Sequence, residues 1–141
     1  LFAHGLTYSG HPAACAAGLE TLRILRDSDI IKTSAEDIAP YFQRRLRELT
    51  DHRIVGEVRG RGMFAAVELV RDKGSRERLA PSSESAVFCR DTANAIGLMV
   101  RQTGDAMIMA PPLVTNREEI DSLITMLAQA LDKTAQHYGV A

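Results

Sequence analysis

Apolar residues recur at helical spacing in several stretches of this chain and alternate with polar ones between them, which divides it into eight elements. A first helix is expected from Pro12 to about Arg26, since proline is tolerated at the first helical position. Its opening turns are small (Ala13, Ala14, Cys15, Ala16, Ala17), and Leu19, Leu22 and Leu25 then form a wider stripe. A second helix is expected from Ser34, with Asp37 completing a variant capping box and Ile38, Tyr41, Phe42, Leu46 and Leu49 on one face. Arg44, Arg45, Arg47 and Glu48 lie on its solvated side. Ile54 to Arg59 and Met63 to Val70 read as strands around Gly60-Arg61-Gly62, where glycine permits a tight reversal. Arg71 to Ser85 is polar and reads as a surface loop.

A third helix is expected over Glu84 to Ile96, with Val87, Phe88, Ala95 and Ile96 inward and Gly97 as its stop. Leu98 to Arg101 and Ala106 to Met109 read as short strands around a Gly104-Asp105 turn, and Pro111-Pro112 ends the second. Thr115 and Glu118 read as a capping box for a last helix, which carries Ile120, Leu123, Ile124, Leu127 and Leu131 on one face. The order ααββαββα implies an α+β layer within the α/β class: a small, mostly antiparallel sheet covered by helices. The small-residue first helix fits a larger neighbour better than it fits these elements.

Composition narrows the function classes. The chain has 141 residues, enough to bury about two-thirds of its unfolded surface. It is 45% hydrophobic and 25% charged, which argues against disorder. Seventeen basic and eighteen acidic residues give a net charge of −1, which excludes a strongly basic nucleic-acid footprint. The stretch from Leu1 to Leu19 has no Asp, Glu, Lys or Arg, but its histidines, hydroxyls, glycines and Pro12 make it unfit to span a membrane. Cys15 and Cys89 are too few for a disulfide framework and fit a reducing, cytoplasmic setting. The chain opens Leu1-Phe2-Ala3-His4 without an initiator Met, so it is expected to be the later part of a longer one.

Two places could carry chemistry. Gly5-Leu6-Thr7-Tyr8-Ser9-Gly10-His11-Pro12 sets hydroxyls and glycines just before a helix. Such a loop either presents donors to an anion such as phosphate or merely caps the helix. Arg101 closes an apolar strand beside a turn, where it either grips a carboxylate in bidentate fashion or sits in a structural ion pair. No His-x-x-x-His or Cys-x-x-Cys metal spacing occurs, and His4 with His11 makes a poor ligand pair. Gly60-Arg61-Gly62 joins strand to strand and lacks the helix that a dinucleotide fingerprint needs.

The run Phe2 to Ala17 resembles the class III (omega-type) pyridoxal-phosphate aminotransferases, in their segment after the catalytic lysine. Further blocks agree in order: Val55-Gly56-Glu57-Val58-Arg59-Gly60 with Gly62, Ala66 to Val70, Gly97 to Arg101 with Gly104-Asp105, and Ala110-Pro111-Pro112-Leu113. Thr7 to Pro12 is most similar to the omega-amino acid:pyruvate branch. The resemblance implies a fold-type I homodimer using pyridoxal 5'-phosphate. It implies that residues 1–26 end the large cofactor domain and that 27–141 form the small C-terminal domain. It further implies that the Thr7 hydroxyl and the Leu6 backbone amide meet the cofactor phosphate across the dimer interface. Arg101 matches the mobile arginine that binds the substrate carboxylate.

The implied reaction moves an amino group from an omega-amino acid or amine to an oxo-acid such as pyruvate. The family's Schiff-base lysine is expected to lie before Leu1. Lys32, Lys73 and Lys133 match no catalytic motif, so the 141 residues alone are expected to be inactive. Two other assignments stand beside it: a non-catalytic binding or dimerisation module derived from the same small domain, or another family member acting on taurine, a diamine or 4-aminobutyrate.

Overall fold

Ile120, Ile124, Leu127 and Leu131 return to one side of a helix every three or four residues, and all four are buried. They belong to the last element of a computed structural model that describes residues 4–140. The helices are α1 (Pro12–Asp27), α2 (Ile30–Thr33), α3 (Ala39–Arg47), α4 (Glu84–Ala95) and α5 (Arg117–His137). The strands are β1 (Val55–Arg61), β2 (Phe64–Leu69), β3 (Arg101–Thr103) and β4 (Ala106–Met109). They form one antiparallel sheet in the order β1-β2-β4-β3. One face of the sheet (Val58, Ala65, Val67, Met107, Met109) enters a core shared with Phe42 and Leu46 of α3, Cys89 and Ala93 of α4, and the α5 stripe. The expected α+β layer, a small antiparallel sheet covered by helices, is the fold observed.

Several boundaries differ from the sequence reading, each for a local reason. The second helix starts at Ile30, and Ser34 is a buried residue inside it rather than a cap. Pro40 has no N–H to offer and its ring would strike the preceding turn. The backbone widens into a π turn over Ser34–Ile38, where the Ala39 N–H reaches the Ser34 carbonyl, before α3 continues. Asp37, freed from capping, pairs with Arg117 of α5.

The β1–β2 reversal falls at Gly62-Met63, because Arg61 still pairs with Phe64. Of the two glycines in this reversal, only Gly62 takes a positive φ, of 62°. Gly60 serves a different need, since a Cβ there would lie 2.5 Å from the Phe64 carbonyl oxygen. On α4 the inward residues are Ser85, Ala86, Cys89 and Ala93, while Ala95 is exposed and Val87 and Phe88 are half-buried. Small inward residues let α4 lie close to α5. Leu98 and Val100 are buried but precede the third strand, so Arg101 opens that strand instead of closing it.

At α5 the capping box is formed by Asn116 and Glu119, one residue later than Thr115 and Glu118. The Asn116 side chain accepts from the Glu119 N–H at 2.9 Å, and the Glu119 carboxylate accepts from the Asn116 N–H at 2.8 Å. α5 is tied to α3 by a polar clasp in which the Tyr41 hydroxyl donates to Asp121 at 2.6 Å and Arg45 Nε donates to the same oxygen at 2.8 Å. These donors, Tyr41 first and Arg45 second, hold the Asp121 carboxyl below its usual range.

α1 contrasts with α3, α4 and α5: none of its residues is buried, and Leu19 and Leu22 are 69% and 65% exposed. No helix among the described residues is long and apolar enough to cross a membrane.

The cap assignment has a direct test. Asn116→Ala should cost about 1 kcal/mol in denaturant unfolding, because it orphans a helix N–H. Glu118→Ala should stay within about 0.5 kcal/mol, as an ordinary surface change does. Equal costs at the two positions would refute the Asn116 cap.

Candidate functional site

The N-terminal loop reaches α1 through a turn in which the Ser9 N–H donates to the Leu6 carbonyl at 3.0 Å and the His11 N–H to the Tyr8 carbonyl at 3.2 Å. His11 is the helix cap, with Nδ1 accepting from the Ala14 N–H at 3.4 Å. The capping task therefore falls to an imidazole, and the hydroxyls of the loop are not spent on it. Thr7 is exposed, and neither its hydroxyl nor the Leu6 N–H has a partner among the described residues. The first carboxylate in the chain is Glu20, so no acid within the loop opposes an anion. A neutral donor set of one hydroxyl and one backbone amide suits a phosphate.

Arg101 stands at the start of β3, opposite Ile108 of β4. It is exposed and takes part in no ion pair among the described residues. Beside it runs an apolar groove of about 1030 Å³, lined by Phe64, Met99, Arg101, Ile108, Pro112 and Val114 among others. Phe64 is 60% exposed and Met99 92% exposed, large apolar groups that water should not keep uncovered without reason. A guanidinium at the rim of an apolar groove is a strong carboxylate ligand once the groove is covered. Displacing water lowers the local dielectric and strengthens the ion pair.

Phe64, Met99 and Val114 escaped the sequence reading. For Phe64 a signal existed: period-2 alternation in β2 puts Phe64, Ala66 and Glu68 on one face, opposite the buried Ala65, Val67 and Leu69. Met99 likewise alternates with the buried Leu98 and Val100.

The two places do not converge. Among the described residues, none of the loop before Pro12 lines the groove at Arg101. The lysines stand apart from both: Lys73 Nζ donates to the Thr50 carbonyl at 2.7 Å, and Lys32 and Lys133 are exposed. Among the described residues no group of three or more His, Cys, Asp or Glu could hold a metal. Cys89 is buried, and burial pushes its thiol up to about 11, against a smaller downward pull from Thr134.

Comparison with known proteins places these features in context. The family model for class-III aminotransferases matches residues 1–131. A putrescine–pyruvate aminotransferase of Pseudomonas aeruginosa is 49% identical over 134 residues, covering 95% of this chain and 29% of the relative. The mitochondrial gamma aminobutyrate transaminase 1 of Solanum lycopersicum is 36% identical, over 94% of this chain and 26% of its own length. An omega transaminase of Pseudomonas jessenii, solved in complex with PMP, superposes with a TM-score of 0.89 at 36% identity, over 96% of this chain and 30% of that one. The chain thus spans under a third of the length of these relatives.

Cys89 should resist thiol reagents in the folded protein. With its thiol near pKa 11, only about one part in a thousand is thiolate at pH 8. Mass-spectrometric mapping after a short iodoacetamide pulse at pH 8 should find Cys89 unmodified until denaturant is added. Rapid native labelling at Cys89 would contradict its burial.

Proposed function

The chain belongs to the class-III aminotransferase family, and on that footing we propose that it is the C-terminal part of a pyridoxal 5'-phosphate-dependent enzyme. The reaction moves an amino group from an omega-amino acid or amine to an oxo-acid such as pyruvate. The observation that carries this reading is the family match, which runs through both Thr7 and Arg101. The putrescine–pyruvate relative, 49% identical over 134 residues, supports an amine donor and pyruvate as acceptor.

Residues 1–26 are the end of the large domain and residues 27–141 the small C-terminal domain. The exposure of Leu19 and Leu22 on α1 supports that division, since this side of the helix finds no cover among the described elements after it. The enzyme works as a cytoplasmic homodimer, with the Leu6–Thr7 turn of one subunit serving the other's cofactor. The catalytic lysine is contributed from outside these 141 residues, which alone do not transaminate.

The cofactor supplies the electron sink that lets an amine and a carbonyl exchange their nitrogen. This chain's residues bind and orient. The Leu6 N–H and the Thr7 hydroxyl would hold the cofactor's phosphate, each as a neutral donor. Arg101 receives a substrate carboxylate through its two-pronged guanidinium. Phe64, Met99 and Ile108 beside it keep water from competing for that ion pair when the groove is closed.

Two outcomes test the reading in the complete enzyme. Thr7→Val should weaken cofactor binding about tenfold, as expected for losing one hydrogen bond to a charged group. Fluorescence titration of the stripped enzyme with the cofactor measures this, and an unchanged Kd would remove Thr7 from the phosphate site. Arg101→Ala should lower kcat/KM for an omega-amino acid by about a hundredfold more than for a diamine. Equal losses on both donors would remove its assigned role.

A further inference from the structure

Arg101 lies on the shortest strand of the sheet, at its edge. Three residues of β3 pair only with β4: Arg101 with Ile108, Gln102 with Met107 and Thr103 with Ala106. So short an edge strand does little to hold its own direction. Before Arg101 the chain is anchored by the buried Leu98 and Val100; after it, the direction of β3 depends on what holds the turn at its other end, Gly104-Asp105, where Gly104 takes a positive φ of 55°.

Asp105 holds that turn from two sides. Its backbone carbonyl accepts from the Leu69 N–H at 2.8 Å, which stitches the turn to the end of β2. Its carboxylate accepts from Arg78 Nε at 2.6 Å through Oδ2. The Asp105 side chain is only 13% exposed, and its Oδ1 is buried with no hydrogen-bond partner among the described residues. A buried carboxylate oxygen left unpaired is costly, and a residue needed only for the turn could be Asn or Ser at less expense. Arg78 is itself braced, because its loop is closed by the Arg71 N–H on the Glu77 carbonyl at 2.7 Å and by the Arg71 guanidinium on the Leu79 carbonyl at 3.0 Å. Lys73 fastens the same loop to the Thr50 carbonyl.

We infer that Asp105, held by Arg78, is a positioning residue for Arg101: the Arg78–Asp105 pair sets the angle of β3 and so determines how well the enzyme accepts carboxylate-bearing donors. Neither residue touches the substrate. The polar loop between β2 and α4 thereby acquires a role in substrate specificity, transmitted along one hairpin. The inference rests on the proposed role of Arg101 and sharpens it.

Asp105→Asn, Arg78→Ala, Arg78→Lys and Arg101→Ala, with the double variants Asp105→Asn/Arg101→Ala and Arg78→Ala/Arg101→Ala, are assayed in the complete, cofactor-loaded enzyme. Each is tested with an omega-amino acid and with a diamine. Asp105→Asn and Arg78→Ala should each lower the ratio of kcat/KM for the amino acid to that for the diamine by roughly tenfold. The loss should appear in KM for the amino acid more than in kcat. Arg78→Lys should recover most of it, and neither change should add to Arg101→Ala in the double variants.

Additive losses, or losses shared equally by both donors, would overturn the positioning role. Should Arg101→Ala shift the ratio while the other two do not, the role of Arg101 survives and this inference fails. Should Arg101→Ala itself leave the ratio unchanged, both fail. Arg78 is 61% exposed, so Arg78→Ala decides the matter even if Asp105→Asn does not fold.

Discussion

The fold depends on one sheet face being sealed by helices that approach it closely. Val67 and Met107 lie in the middle of that face and are wholly buried. Opposite them, α4 presents Ser85, Ala86, Cys89 and Ala93, residues with almost no side chain to hold the helix away. α5 then closes the layer with Ile120, Ile124, Leu127 and Leu131. Larger residues on the inner face of α4 would push α5 outward and open the core, since interiors are close-packed and respond to single methylenes.

The outer face of the same sheet follows a different rule. Arg101, Ile108, Ala66 and Arg59 stand in one row across four strands, set by the antiparallel register. Phe64 stands on that face too, and Met99 lies just before it, exposed. A face that mixes large apolar groups with a guanidinium unpaired among the described residues suits burial against another surface that brings a carboxylate, and it suits open water poorly. The core-side residues thus serve as a scaffold that orients a second, unfinished face. The loop before α1 is unfinished in the same sense, with donors exposed and a helix that buries nothing.

Much of this was legible in the residues. The α5 stripe, the two hairpins, the polar loop after β2 and the α+β arrangement all follow from periodicity and from glycine placement. What escaped was degenerate locally. Thr115 and Asn116 are both good caps, and Glu118 and Glu119 are both acidic, so the box could be read in either register. The tertiary structure chooses Asn116, because the Thr115 N–H is drawn to the Pro112 carbonyl and Thr115 is buried. Ser34 looked like a helix start, yet the helix had already begun at Ile30, and Pro40 was accommodated by a π turn instead of breaking it.

The amino-acid sequence by itself determined the element types, the core stripe and the family, because these rest on local periodicity and on blocks of residues kept in order. It also placed Thr7 and Arg101 as candidates. Only the tertiary structure decided that His11 caps α1 and leaves Thr7 free, that Arg101 opens its strand beside an apolar groove, and that Asp105 is gripped by Arg78. The His11 cap is a local choice, made with the Ala14 N–H three residues on. For Arg101 and Asp105 the reason is long-range: the groove and the Arg78 partner are brought to them by segments distant in sequence.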